Sequence, residues 1–169
     1  MPDTVANLFL TFSKDRLRTF TSRIVDCLGR LSDEQIWARG GENENSIGNL
    51  VLHLCGNVQQ WIVSGVGGKA DIRDRDSEFA ALGGVNAGEL QHRLEATIRE
   101  AIEVIASVPA ARLPEIITVQ SYQRAVLEVI YTAVEHFAQH TGQIIFATKI
   151  LSGQDLGYYK HLNRPAGAR

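Results

Sequence analysis

Glu135-His136-Phe137-Ala138-Gln139-His140-Thr141-Gly142-Gln143 lies inside an apolar, helix-patterned segment that runs from about Ser121 to Ser152. Residues four apart on an α-helix project from one face, one turn above the other, so the His136 and His140 imidazoles can close on a single metal ion. Such a pair needs a partner from another helix. His53 is the candidate, because Asn49-Leu50-Val51-Leu52-His53-Leu54-Cys55-Gly56-Asn57 is another apolar helical segment that a small bundle lays alongside. Three neutral imidazoles around a divalent ion leave the site positive and coordination positions open, which points to catalysis rather than scaffolding. A structural zinc site is more often closed by four ligands, commonly with cysteines, and Cys55, two residues from His53, points away around the helix. The expected ligand set is His53, His136 and His140.

A plainer reading stands beside it. A single histidine on an apolar helix is more often a hydrogen-bonded core residue than a ligand. Two on one stripe need a shared reason to be there. The residues between them are Phe137, Ala138 and Gln139, so the general base of an HExxH peptidase is absent and that mechanism is disfavoured. Gln143 returns to the same helical face and is a candidate for a hydrogen bond to a metal-bound water or to substrate; a solvated or bundle-capping glutamine is the equal alternative. Asn57, one turn beyond His53, either orients a ligand or satisfies a neighbouring backbone group. Trp37 and Arg39 precede that helix in a loop that flanks the expected pocket, with Arg39 available to an anionic group, although packing of Trp37 and solvation of Arg39 are the simpler expectations. His92 and His161 read as surface residues.

Apolar spacing predicts helix one from Thr4 to about Gly29. A capping box at Ser32-Asp33-Glu34-Gln35 opens a short helical turn. Helix two runs from about Ile47 to Ser64, and helix three from a cap at Asn86 to about Val108. Between these, residues 69–84 are charge-dense and punctuated by glycine. They read as a long surface connection, locally helical only over Ser77 to Leu82, with Asp71 to Glu78 a solvated loop or else a lid or dimer contact. Glu115 to Gln120 is β-branched but lacks a partner strand and reads as an extended connector, after which Ser121 caps helix four. Gly153 is placed as its C′ residue, and residues 155–169 form a tail docked through Leu156, Tyr158 and Tyr159. The expected fold is one all-α domain over residues 1–169, a four-helix bundle with a long link between helices two and three.

The chain of 169 residues carries 17 basic and 19 acidic side chains and no basic stripe, so neither nucleic acid nor an anionic membrane is an expected partner. Cys27 and Cys55 have no CxxC spacing and read as small buried apolar residues in a reducing compartment. Without a secretion signal or a run approaching roughly 20 apolar residues, a cytoplasmic protein is expected.

Ser46 to Asn57, followed far downstream by Glu135 to Ile144, resembles the DinB-like, or YfiT-like, metal-binding proteins in helix order, in the first histidine on helix two, and in the HxxxH followed by Gly-Gln. The resemblance covers most of the chain. It implies His53, His136 and His140 as ligands of zinc or nickel, with water completing the shell, and a homodimer. It further implies a transferase or isomerase that uses low-molecular-weight thiols such as bacillithiol or mycothiol, in detoxification or stress. The alternatives are a metal-dependent hydrolase, a non-catalytic metal- or ligand-binding bundle, and haem ligation, the last disfavoured because adjacent-turn histidines suit one small ion.

Overall fold

The computed structural model describes residues 2–162. The long helices are α1 (Pro2–Leu28), α3 (Ile47–Val58), α5 (Ala87–Ser107) and α6 (Val126–Ser152), with short helices α2 (Asp33–Ile36) and α4 (Arg75–Ala80) in the links. α1 packs on α5 and α6, and α3 packs on the same two, so α1 and α3 stand diagonally across an all-α bundle. The interior is filled by the apolar stripes that set the helical spacing: Leu17 and Ile24 of α1, Val51 and Leu54 of α3, Leu94 and Ile105 of α5, and Ile130, Phe137 and Ile144 of α6, all buried. Among the described residues no helix is long and apolar enough to cross a membrane.

Local capping sets where the helices begin. Ser46 Oγ accepts from the Asn49 backbone N–H while Asn49 Oδ1 accepts from the Ser46 N–H, both at 3.1 Å, which fixes the start of α3 and with it the height of His53. Asn86 and Glu89 do the same for α5. Gly153, with φ of 65°, ends α6 as the spacing predicts.

Helix two departs from the expectation in form. After Val58 its turns widen into a π-helix over Gln59–Val66. Four residues of α-helix overshoot a full turn by about 40°, and wider turns reduce that drift, which keeps Trp61 on the side of α3 that carries His53 and Asn57.

The extended connector is half of a hairpin. β1 (Ile116–Val119) pairs antiparallel with β2 (Tyr122–Ala125), so helix four starts at Val126 rather than after a Ser121 cap. Gln120 and Ser121 form the two-residue turn, and both have positive φ, 50° and 70°. Val119 seats the hairpin on the π-helical segment at Gly65, where a Cβ would come within 2.5 Å of Val119 Cγ2. In the tail, Leu156 is buried and the Tyr158 hydroxyl donates to Asp26 Oδ2 at 2.9 Å, whereas Tyr159 is exposed. The last part of the expected tail, residues 163–169, lies outside the described residues.

Candidate metal centre

α3 and α6 bring the three histidines together. His53 is buried on α3, and His136 and His140 are half-buried on α6, on the flank of the face that places Phe137 in the core. His53 Nε2 and His136 Nε2 are 2.9 Å apart, the His136 and His140 ring centroids 4.4 Å, and the His53 and His140 centroids 5.0 Å. One nitrogen from each ring lies within 4.8 Å of the other two. Nitrogens sharing a tetrahedral zinc sit about 3.3 Å apart, so the donor set fits a small divalent ion.

The outer nitrogens determine whether the inner ones are free to bind. His53 Nδ1 lies 3.0 Å from Glu78 Oε2, and Arg73 holds the same carboxylate through Nε to Oε1 at 2.8 Å and Nη2 to Oε2 at 2.9 Å. Arg73 Nη2 is also 3.1 Å from His53 Nδ1. With Nδ1 donating to the Glu78 carboxylate, the arrangement that suits a metal-binding imidazole, Nε2 presents its lone pair inward. Burial pushes the Glu78 carboxyl up, but hydrogen bonds from Arg73 and His53 outweigh it and hold the group below its ordinary range, hence ionised. On α6, His140 Nδ1 donates to Gln143 Oε1 at 2.6 Å, which again leaves Nε2 open.

Burial keeps the two histidines of α6 neutral. Burial, helped by the neighbouring His140 and His53, pushes His136 down to about 4, and burial lowers His140 despite its bond to Gln143. At neutral pH the His136 and His140 rings are thus available as ligands without first losing a proton.

Glu78 and Arg73 come from the link that reads as a solvated loop, and that expectation fails here. The Glu78 and Arg73 side chains are 8% and 3% exposed. Two devices fix them. Asn49 Nδ2 donates to the Glu78 and Ala81 carbonyls at 2.9 and 2.8 Å, and Arg39 Nη2 donates to Asn49 Oδ1 and to the Phe79 and Ala81 carbonyls. Gly56 then leaves room for the carboxylate against α3. Arg39 is therefore committed to bracing α4 and is not available to a substrate anion. Trp37 packs over Gly48 and donates Nε1 to the Val85 carbonyl at 2.9 Å, away from the histidines.

A cleft of about 420 Å³ opens beside His53 and His136. Asn57 of α3 and Trp61 of the π-helical segment that follows it line one wall, Thr132 of α6 another, and Arg75, Tyr122 and Arg124 the outer rim, the last two carried by the hairpin. Asn57 makes no hydrogen bond to His53; its Oδ1 and Trp61 Nε1 are buried without a partner among the described residues. Gln143 is exposed, lies outside this cleft and, among the described residues, its side chain hydrogen-bonds His140. His92 and His161 are exposed. The Cys55 thiol lies apart from the triad, and burial pushes it up to about 12.

The four-residue spacing on α6 points to His136 and His140, and the apolar helix around it to His53. Neither pattern carries a signal for Glu78 and Arg73, whose link has no period to read, nor for the hairpin residues.

Comparison with curated proteins returns no match. A solved structure described as the crystal structure of the conserved protein of locus from Enterococcus faecalis has the same fold, with a TM-score of 0.74 at 12% identity over 85% of this chain and 97% of that one. The family pattern described as a protein of unknown function, DUF1572, matches residues 4–167, and the chain belongs to that family.

Proposed function

We propose that this protein is a divalent-metal-dependent enzyme of the DinB-like type, a thiol S-transferase acting in detoxification or stress, working as a cytoplasmic homodimer. His53, His136 and His140 would hold the ion, zinc or nickel, through their Nε2 atoms. The observation that carries the proposal is the hydrogen bonding behind the ligands: Glu78 faces His53 Nδ1 and Gln143 accepts from His140 Nδ1, so that with the hydrogens on Nδ1 both rings turn an Nε2 lone pair toward the cluster, and His53 and His136 open onto the cleft.

A bound dication supplies the positive charge that favours thiolate over thiol and polarises an electrophile. The chain's own groups do the rest. Arg73 keeps Glu78 ionised, Glu78 keeps the His53 ring in one tautomer and orientation, and the cleft beside His136 leaves space for two reactants. The buried α3 wall shields one side from water.

The test is thiol consumption by metal-loaded protein offered small thiols and alkylating electrophiles, beside His140→Ala. The expected result is turnover that needs the ion and is lost in the variant. Equal rates with and without the ion, in protein that binds it, would favour a non-catalytic bundle in which the ion ties α3 to α6.

A further inference from the structure

The cleft beside the triad has a chemical character of its own. Among its lining residues three are arginines and none is acidic. Arg73 is committed to Glu78. Arg75 and Arg124 are exposed on the rim and form no ion pair among the described residues; their guanidinium groups rest 4.8 Å from the Phe79 ring centroid and 6.0 Å from that of Tyr122. Two cations at the mouth of one concave site attract an anion and favour a planar carboxylate, which a guanidinium binds through two parallel hydrogen bonds.

Asn57 and Trp61 are 8% and 7% exposed, and Asn57 Oδ1 and Trp61 Nε1 have no hydrogen-bond partner among the described residues. A buried polar atom left unpaired costs about 1–3 kcal/mol, which a ligand that supplies the missing partner recovers. The residues of one wall thus carry an unused acceptor and an unused donor, one helical turn apart and following His53 along the chain.

We propose that the cleft selects a small carboxylate that also carries a hydroxyl, amine or amide N–H: Arg75 and Arg124 hold the carboxylate, Asn57 accepts from that donor, and Trp61 donates to an oxygen of the ligand. As a statement about substrate it rests on the metal-dependent reading above, but binding of the acid does not require the ion. The hairpin, through Arg124 and Tyr122, is the specificity-determining wall.

The test is calorimetric titration of metal-loaded and chelator-treated protein with lactate, N-acetylalanine, succinate and S-methylglutathione, each beside its neutral ester. At least one acid carrying a hydroxyl, amine or amide N–H is expected to bind both forms, its ester at least tenfold more weakly. The doubly substituted Arg75→Gln, Arg124→Gln protein is expected to lose that preference while keeping its metal content, and Asn57→Leu to weaken the acid at least fivefold. No acid preferred over its ester, or a preference that survives the double substitution, would overturn the proposal. Acid binding by a protein that takes up no metal would sink the enzyme reading and leave the anion site standing; metal uptake without acid recognition would do the reverse.

Discussion

The Glu78 carboxylate occupies the space that a side chain on residue 56 would fill: a Cβ on Gly56 would overlap Glu78 Oε1, lie 2.8 Å from Glu78 Cδ and 3.1 Å from Arg73 Nε. The glycine three residues after His53 is thus what lets the link from α3 to α5 lay its Arg73–Glu78 pair against the back of the histidine. Gly56→Ala is expected to displace the carboxylate, weaken divalent-metal binding about 10- to 100-fold and destabilise the fold by about 1–3 kcal/mol. Metal titration and thermal melts check this, and unchanged affinity would mean that Glu78 does not orient His53.

Glu78→Gln tests the same relay without the steric change. The amide has nearly the shape of the carboxylate but no charge to pair with Arg73. Metal affinity is expected to fall about 10- to 100-fold, and stability to fall as well because a buried guanidinium loses its counter-ion. A surface glutamate of a solvated loop would be silent in both measurements.

Gln143→Ala removes the acceptor from His140 Nδ1. The ring then loses the partner that fixes its tautomer, and metal affinity is expected to fall about tenfold with little change in melting temperature, since Gln143 is exposed. Competition against a chromophoric chelator reads the difference.

The metal-free protein should be acid-sensitive in a defined window. Burial holds His136 at about 4 and His140 below its ordinary value in the folded chain, whereas unfolded histidines titrate near about 6.5. Between those values the unfolded chain binds more protons, so stability is present above about 6.5 and is lost progressively as pH falls toward 4. Melting temperatures of chelator-treated protein from pH 7.5 to 4.5 should show this loss, and His136→Gln should reduce it.

Cys55 should be inert in the native state. Burial pushes its thiol up to about 12 although the residue as a whole is half-buried rather than buried as expected, and Cys27 is fully buried. An aromatic disulfide reagent at pH 8 is expected to label neither cysteine quickly in native protein and both in denaturant. Rapid native labelling of Cys55 would contradict its placement.

The parts of the molecule legible in the sequence are those with a period. His136 and His140 are read from the four-residue spacing on α6, His53 from its place on an apolar helix, and the bundle from the stripes of α1, α3, α5 and α6. The rest follows no period. Glu78 and Arg73 look like solvated charges because nothing local shows that Gly56 leaves room for them or that Asn49 and Arg39 pull their segment down. The hairpin is hidden because its turn uses Gln120-Ser121 in place of the glycine- and asparagine-rich pairs that tolerate positive φ. Arg39, which reads as a solvated side chain or one available to an anionic group, instead braces α4, a role set by carbonyls some 40 residues away.

The central claim is that His53, His136 and His140 bind one divalent ion. Elemental analysis of untagged protein, beside His53→Ala, tests it most directly, because a tag would add histidines of its own. One zinc or nickel per chain in the wild type, lost in the variant, is the predicted result. A wild type that carries no metal and takes none up on reconstitution, or a variant that keeps a full complement, would contradict it.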